Sequence, residues 1–532
     1  MFSFRLETFS PSLFLRTHFS GTGVLIACFF VALLNKILLS WIYTDLEGDK
    51  SLYLLFAESL LQGHPLVEPV GIINNASAYL YNPGSVSPLY SYLCVPFLWL
   101  TDSFSATSLL ADICSWTLFF SGLVKVSRII YREQWITNLL LLSIGFFLYP
   151  HQLDSAPKDT LAIGLILWSV YFARGFVSNL RLSYAGGTIL ALWLLGLTKY
   201  SYVPLIFVSF CLLLFLCWQF KQKRAAYGLV VCCVFLIAIP YYWFFVPHSG
   251  TVIQPQLMGD GTTIVRGFFP SNLSHRFPFV CSVIINTNFW GVQMADIFNT
   301  NFSTITRIFQ ALDVLLLSSL CGFFIWIFKP RSLPPALTYC LCLGIVITLQ
   351  LCLISITNRE VSYKGSGNTY TYIQEGRAFF FPILALQLLF FFLLFKTYSL
   401  AKGLKNFLFL LFMIECLHGA YFSVKQIANS SAVIAALKTN TPVKKLTTEL
   451  LDLSQRVGPL GLVTSNNHLR RYALLHDIIT YPVIHGACPN PDLEKSGYII
   501  ATHLEDSGIV ARCFSKSNLT ALDTLTPFVL NG

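Results

Sequence analysis

Charge is what this chain lacks most: only 11% of its 532 residues are Asp, Glu, Lys or Arg, where a soluble domain carries about a quarter. With 55% hydrophobic residues and a mean hydropathy of +0.65, that shortage argues against a large soluble protein. No Cys-x-x-Cys pair and no Cys/His metal spacing occurs, so a zinc-ribbon type of site has no support. No internal repeat or low-complexity tract is visible. No small-x-small cleavage site follows the first apolar run, which is also too long for a signal-peptide core, so that run reads as a retained anchor.

What the chain has instead is apolar runs of near-membrane length. Spans are expected at 21–43, 104–126, 135–150, 159–176, 183–199, 201–219, 225–246, 309–328, 336–356, 377–396 and 404–422, about eleven in all. Most of the 15 cysteines sit inside such runs, as in FVSFCLLLFLCW and YGLVVCCVFL, where they act as small hydrophobes. Cys488 and Cys513 fall in the polar tail; they form either a disulfide or two separate thiols.

The formal net charge of +10 needs no nucleic acid to balance it. Arg5 and Arg16, Arg128 and Arg132, Arg174 and Arg181, KQKR at 221–224, KPR at 329–331, and Lys396, Lys402 and Lys405 all fall on one side if the amino terminus is cytoplasmic. This satisfies the positive-inside rule. An odd number of spans then puts the carboxyl end outside. The outer face receives the loop 44–103, HQLDSAPKD at 151–159, the long loop 247–308, the loop 357–376 and the tail. Five Asn-x-Ser/Thr sites, at Asn75, Asn272, Asn301, Asn429 and Asn518, share that side and do not establish a eukaryotic source.

Within the first outer loop, KSLYLLFAESLLQG reads as a helix closed by Gly63 and Pro65. SPLYSYLCVPFLWL at 87–100 is too short to span. Counting it as a span would put the basic clusters outside, so both segments are expected to be interfacial helices. The division expected is a transmembrane unit over 1–424 and an outer unit over 425–532. In the tail, GPLGLVTSNN and GYIIATHL read as strands flanking a helical HLRRYALLHDI, which together predict a small α/β domain.

The outer loops carry the residues suited to chemistry. Asp45, Glu47 and Asp49 gather where the chain leaves the first span, a place for a general base or metal ligand acting on a lipid-borne substrate, or for ordinary solvated acids. Asp159 opens the fourth span, either as a plain helix-start acid or as a second site carboxylate. Lys199 and Arg377 are cations on the outer face, against the positive-inside trend, and a lipid phosphate is an apt partner. Snorkelling of Lys199, or a structural pair of Arg377 with Glu375, are the plainer explanations. Asp112, Asp313, Glu415 and His418 lie in or near spans and form no recognisable relay.

Taken in order, DKSLYLLFAESLLQGHPL, NPGSVSPLYSYLCVPFLWL, SAPKDTLAIGLILWSVYFARG, GLTKYSYVPL and EGRAFFFPIL resemble the landmarks of the GT-C superfamily of polytopic glycosyltransferases. Within it they are most similar to the bacterial protein O-mannosyltransferase and 4-amino-arabinose lipid A transferase type. The resemblance covers residues 20–220 well and 370–385 moderately. Lys50 stands where the family usually has Glu, and Ala378 where it has Tyr, which puts a metal site built on an Asp-Glu pair in doubt. The resemblance implies an α-helical polytopic GT-C-like bundle in a bacterial inner membrane. It implies inverting transfer of a sugar from a polyprenyl-phosphate donor to a lipid, glycan or protein acceptor. Asp49 would be the base and Asp159 its partner, with Glu47, Tyr53 and Glu375 in support and Lys199 and Arg377 on the phosphate. A divalent cation, Mg or Mn, would sit between Asp49 and Asp159 if one is used. The rival classes are a transporter or flippase of lipid-linked sugars, which should show repeats and broken spans near the midplane, a polysaccharide polymerase or ligase, and an inactive lipid-binding relative.

Overall fold

The computed structural model describes residues 19–43, 49–63, 88–146, 157–179, 181–198, 205–211, 333–362, 380–396, 402–438, 442–458, 460–464, 467–476 and 478–482, with short strands at 68–69, 79–80, 262–266, 369–370 and 498–501 and a few single positions. In chain order the described helices are α1 (Thr22–Ile42), α2 (Asp49–Leu61), α3 (Leu89–Thr101), α4 (Phe104–Tyr131), α5 (Gln134–Phe146), α6 (Pro157–Asn179), α7 (Leu182–Thr198), α8 (Pro335–Thr357), α9 (Phe380–Lys396), α10 (Lys402–Ala428), α11 (Ser430–Leu437), α12 (Pro442–Val457) and α13 (Asn467–Leu474).

Eight of the expected spans fall on α1 and α4 to α10. The segments 225–246 and 309–328 lie almost wholly outside the described residues, and 201–219 is described only in part. Among the described residues, three helices are long and apolar enough to cross a bilayer: Thr22–Ile42, Phe104–Tyr131 and Lys158–Asn179. α1 shows what surrounds them. Ile26, Phe30, Leu34 and Trp41 point outward, while Cys28, Ala32 and Leu39 are buried. A helix apolar on both its inner and outer faces has no side made for water, and α10 repeats the pattern with Leu410, Leu417, Tyr421 and Val424 exposed. This is the surface of an integral membrane protein.

One continuous core runs through α1 to α9. α4 is its spine, packed along α6 and against α1, α3 and α5. Close approach is set by small residues: a Cβ on Gly145 of α5 would lie 2.6 Å from the Cβ of Ala32 on α1. Beside that contact the Asn35 amide donates to the Gly145 carbonyl at 2.9 Å and to the Ser423 hydroxyl at 3.2 Å. Three helices, α1, α5 and α10, are thereby tied by one buried amide, which is how helices associate where lipid removes the hydrophobic drive.

The segment KSLYLLFAESLLQG is helical as expected, and Gly63 ends it at φ +80°, the left-handed conformation glycine permits. It does not lie on a surface. Leu52 through Ala57 are all 6% exposed or less, because α3, α4, α13 and the strand at 68–69 cover α2 from several directions. α3 does keep an open side, with Tyr92, Trp99 and Leu100 exposed. A tight turn joins α3 to α4: Asp102 adopts φ 47°, and the Ser103 hydroxyl caps α4 by accepting from the Ala106 amide at 3.4 Å.

Segments assigned to the outer face do meet one another. β3 (Thr262–Arg266), from the long loop, pairs antiparallel with β4 (Asn358–Ser362), which pairs in turn with β5 (Thr369–Tyr370). β1 (Glu68–Pro69) and β2 (Tyr79–Leu80) form a small antiparallel ladder within the first loop. In the tail, β6 (Leu460–Thr464) is the centre of a parallel sheet between β7 (Ile479–Pro482) and β8 (Tyr498–Ala501). α12 and α13 pack on that sheet around Leu450, Leu462, Leu469, Ala473 and Ile478. α13 also reaches the bundle: it touches α2, and Leu474 and Leu475 join the main core.

Candidate functional site

The first turn of α2 carries two buried polar residues, Lys50 and Ser51. Lys50, 5% exposed, points into the bundle, and its ammonium lies 3.0 Å from Asp112 Oδ2 on α4. The other oxygen of Asp112 accepts from the Tyr90 hydroxyl of α3 at 3.2 Å. One carboxylate thus joins three helices. A buried charge demands such a partner, and the α3–α4 turn brings Tyr90 to it. Burial and the nearby Asp112 carboxylate push the Tyr90 phenol well above its ordinary value, so it stays a neutral donor.

Tyr90 leads to the second half of the site. Its ring meets Tyr53 edge-on, with centroids 5.5 Å apart. Tyr53 is 1% exposed, and its hydroxyl oxygen accepts a hydrogen bond from the Lys158 ammonium, which also lies 5.1 Å from the ring centroid. Lys158 is in the first turn of α6, where Pro157 pre-sets the backbone. The next residue, Asp159, is 1% exposed in the same turn, at the end of the helix whose dipole favours a negative charge.

Of the residues singled out in the sequence, Tyr53 and Asp159 are both buried, and Tyr53 meets Lys158, the residue before Asp159. Asp49 opens α2, four residues before Tyr53, the spacing that puts two positions on one face of a helix. The contact between Tyr53 and Lys158 sets the start of α6 against that face. The side chain of Asp49, and Glu47, Lys199, Glu375 and Arg377 altogether, lie outside the described residues; so do Cys488 and Cys513.

Lys50, Tyr90, Asp112 and Lys158 were not among the expected site residues. Asp112 is not the isolated intramembrane acid it looks in the sequence. A lysine in an apolar helix and an acid in an apolar span each call for a partner, and that was the available signal.

Among the described residues no three His, Cys, Asp or Glu side chains converge as a metal site. Asp159, at the start of α6, offers a hard oxygen donor of the kind magnesium or manganese takes.

No family model matches the chain, and neither does any curated protein sequence. Among solved structures, it is similar to that of ArnT from Cupriavidus metallidurans in the apo state, at 13% identity and a TM-score of 0.40, covering 92% of this chain and 88% of that one. It is similar at the same identity and TM-score to ArnT from Cupriavidus metallidurans bound to undecaprenyl phosphate, covering 94% of this chain and 89% of that one.

Proposed function

We propose that this chain is a membrane glycosyltransferase that moves a sugar from a polyprenyl-phosphate donor to an acceptor hydroxyl on the outer face of the membrane. The observation that carries the reading is the meeting of two helix starts, α2 and α6, through Tyr53 and Lys158. It supports a site in which the turn bearing Asp49 faces the turn bearing buried Asp159. Proximity of groups from separate loops is the condition for such catalysis.

The acceptor oxygen attacks the anomeric carbon, with inversion, as its proton passes to the Asp49 carboxylate. The bond from that carbon to the donor phosphate oxygen breaks, and the electron pair leaves with the polyprenyl phosphate. Lys199 and Arg377 meet the negative charge that grows on the leaving group. Glu375 orients Arg377, Glu47 adds to the acidic rim, and Tyr53 fixes α2 against α6. Asp49 and Asp159 would hold a magnesium or manganese ion, whose chemistry is charge neutralisation at the phosphate. The amino terminus lies in the cytoplasm and residues 425–532 form a periplasmic α/β domain, with the bundle in a bacterial inner membrane.

Purified protein incubated with a labelled polyprenyl-phosphate sugar and an acceptor glycolipid tests this. Transfer should be seen with the wild type and should fall about 1,000-fold in Asp49→Asn, with thermal melting unchanged. Near-normal transfer in that variant removes Asp49 from the mechanism, and no transfer by the wild type removes the reading.

A further inference from the structure

We propose that Asp112 is a positioning residue for this site, acting through Lys50 on the helix turn that carries Asp49. The pinning rests on geometry alone; its consequence for the reaction rests on the transfer reading above.

Lys50 and Asp112 are 62 residues apart and come from different helices. Both are almost fully enclosed, at 5% and 7% exposure. A buried ion pair of this kind seldom adds net stability over two well-packed apolar side chains, because each charge must be stripped of water. What it does supply is direction. An ammonium held 3.0 Å from one carboxylate oxygen fixes where its helix begins, which two methyl-bearing side chains do not.

The place fixed is the one that matters. Helix ends fray, because the first turn lacks part of its internal hydrogen bonding. Lys50 is the second residue of α2, directly after Asp49, so the pair holds the part of the helix most prone to open. The hold is on a firm base. Asp112 sits in the 28-residue α4, two turns into the helix, and its second oxygen is engaged by Tyr90 of α3 at 3.2 Å. Asp112 therefore sets α2 and α3 relative to one another as well. Further along α2, Tyr53 takes the contact to α6. The first turn and a half of α2 is thus gripped at two points, by Asp112 through Lys50 and by Lys158 through Tyr53.

Hydrogen exchange and kinetics together test the proposal. The amides of Tyr53 and Leu54 close the first turn onto the carbonyls of Asp49 and Lys50. In Asp112→Asn, which keeps an acceptor for Tyr90, these amides should exchange about 10-fold faster than in wild type. In the same variant kcat should fall roughly 10-fold to 100-fold while the donor KM stays within about 2-fold. Should Asp112→Asn not fold, the double variant Lys50→Met/Asp112→Asn removes both charges at near-equal volume and keeps the acceptor for Tyr90. It should melt near the wild type yet keep the low kcat and the fast exchange. Wild-type exchange and wild-type kcat in either variant overturn the proposal, because a merely structural pair is replaced by neutral packing without such a trace. If the wild type itself transfers no sugar, the transfer reading fails, while the exchange rates still decide whether Asp112 pins α2.

Discussion

Two lysines enter the buried interior from neighbouring helices and meet the same face of α4, but they are received differently. Lys50 of α2 meets the carboxylate of Asp112 at 3.0 Å. Lys36 of α1, fully buried, lies over the ring of Trp116 at 5.2 Å from its centroid. Asp112 and Trp116 are four residues apart on α4, one above the other on a single stripe. A carboxylate offers two oxygens in fixed directions and a full counter-charge. An aromatic face offers a broad, shallow attraction that tolerates sliding. The directional partner stands by the turn that carries the candidate base, and the tolerant one where α1 only has to pack. Chemistry needs a helix held to a fraction of an ångström; plain interior packing does not.

Removing the carboxylate should therefore do the most damage. Asp112→Ala leaves an ammonium enclosed without its counter-charge, and a cost of about 4 kcal/mol is expected, read as a large drop in melting temperature in detergent. Lys50→Met in the same background should recover most of that loss, since the stranded charge is then gone. If Asp112→Ala melts like the wild type, Lys50 finds another partner or water, and the contrast with Lys36 disappears.

How much of this contrast was readable beforehand depends on what kind of information each feature carries. The helical state of α1, α4 and α6 follows from long apolar runs, and the end of α2 follows from Gly63 and Pro65. Local pattern carries those. The depth of α2 does not: LYLLFA is as compatible with an interfacial helix as with a helix wrapped by α3, α4 and α13, because its burial is decided by partners distant in sequence. Asp159 is singled out because it opens a span and Tyr53 because of the family-like pattern around Asp49, but neither signal says what those side chains touch. Lys50 looked like a departure from a family pattern and Asp112 like a solitary acid, when each was the other's explanation. Pairing across 62 residues leaves no periodic trace in one sequence. It leaves only two buried charges of opposite sign waiting to be matched.

Tyr90→Phe sharpens the same comparison at a smaller scale. It deletes the donor to Asp112 Oδ1 but leaves the ion pair, so about 2 kcal/mol of stability should be lost near neutral pH. The pH dependence has a definite sign. The folded Tyr90 phenol is held well above its ordinary value by burial and by Asp112, whereas the unfolded one ionises near pH 10. Its contribution is therefore fully present below about pH 10 and is lost as pH rises toward the folded value. The gap in melting temperature between wild type and Tyr90→Phe should stay constant from pH 7 to about 9.5 and narrow above it. A gap that widens with pH would mean that the phenol is ionised in the fold and is not the donor.

Trp116→Phe should cost least, and it probes the tolerant partner directly. Lys36 keeps an aromatic face, though a weaker one, and the indole N–H bond to Ser40, 3.3 Å long, is lost. Each change is worth a fraction of a kcal/mol to about 1. A total near 1 kcal/mol in melting experiments, with sugar transfer unchanged, is the expected outcome. Transfer should not respond because Trp116 lies one turn along α4 from Asp112, and the substitution leaves the ion pair that holds α2 in place. A loss as large as that of Asp112→Ala, or a fall in kcat with it, would show that the ring anchors Lys36 as tightly as the carboxylate anchors Lys50. The two lysines would then be one coupled charge system along α4, and α1 would belong to the machinery that aims Asp49.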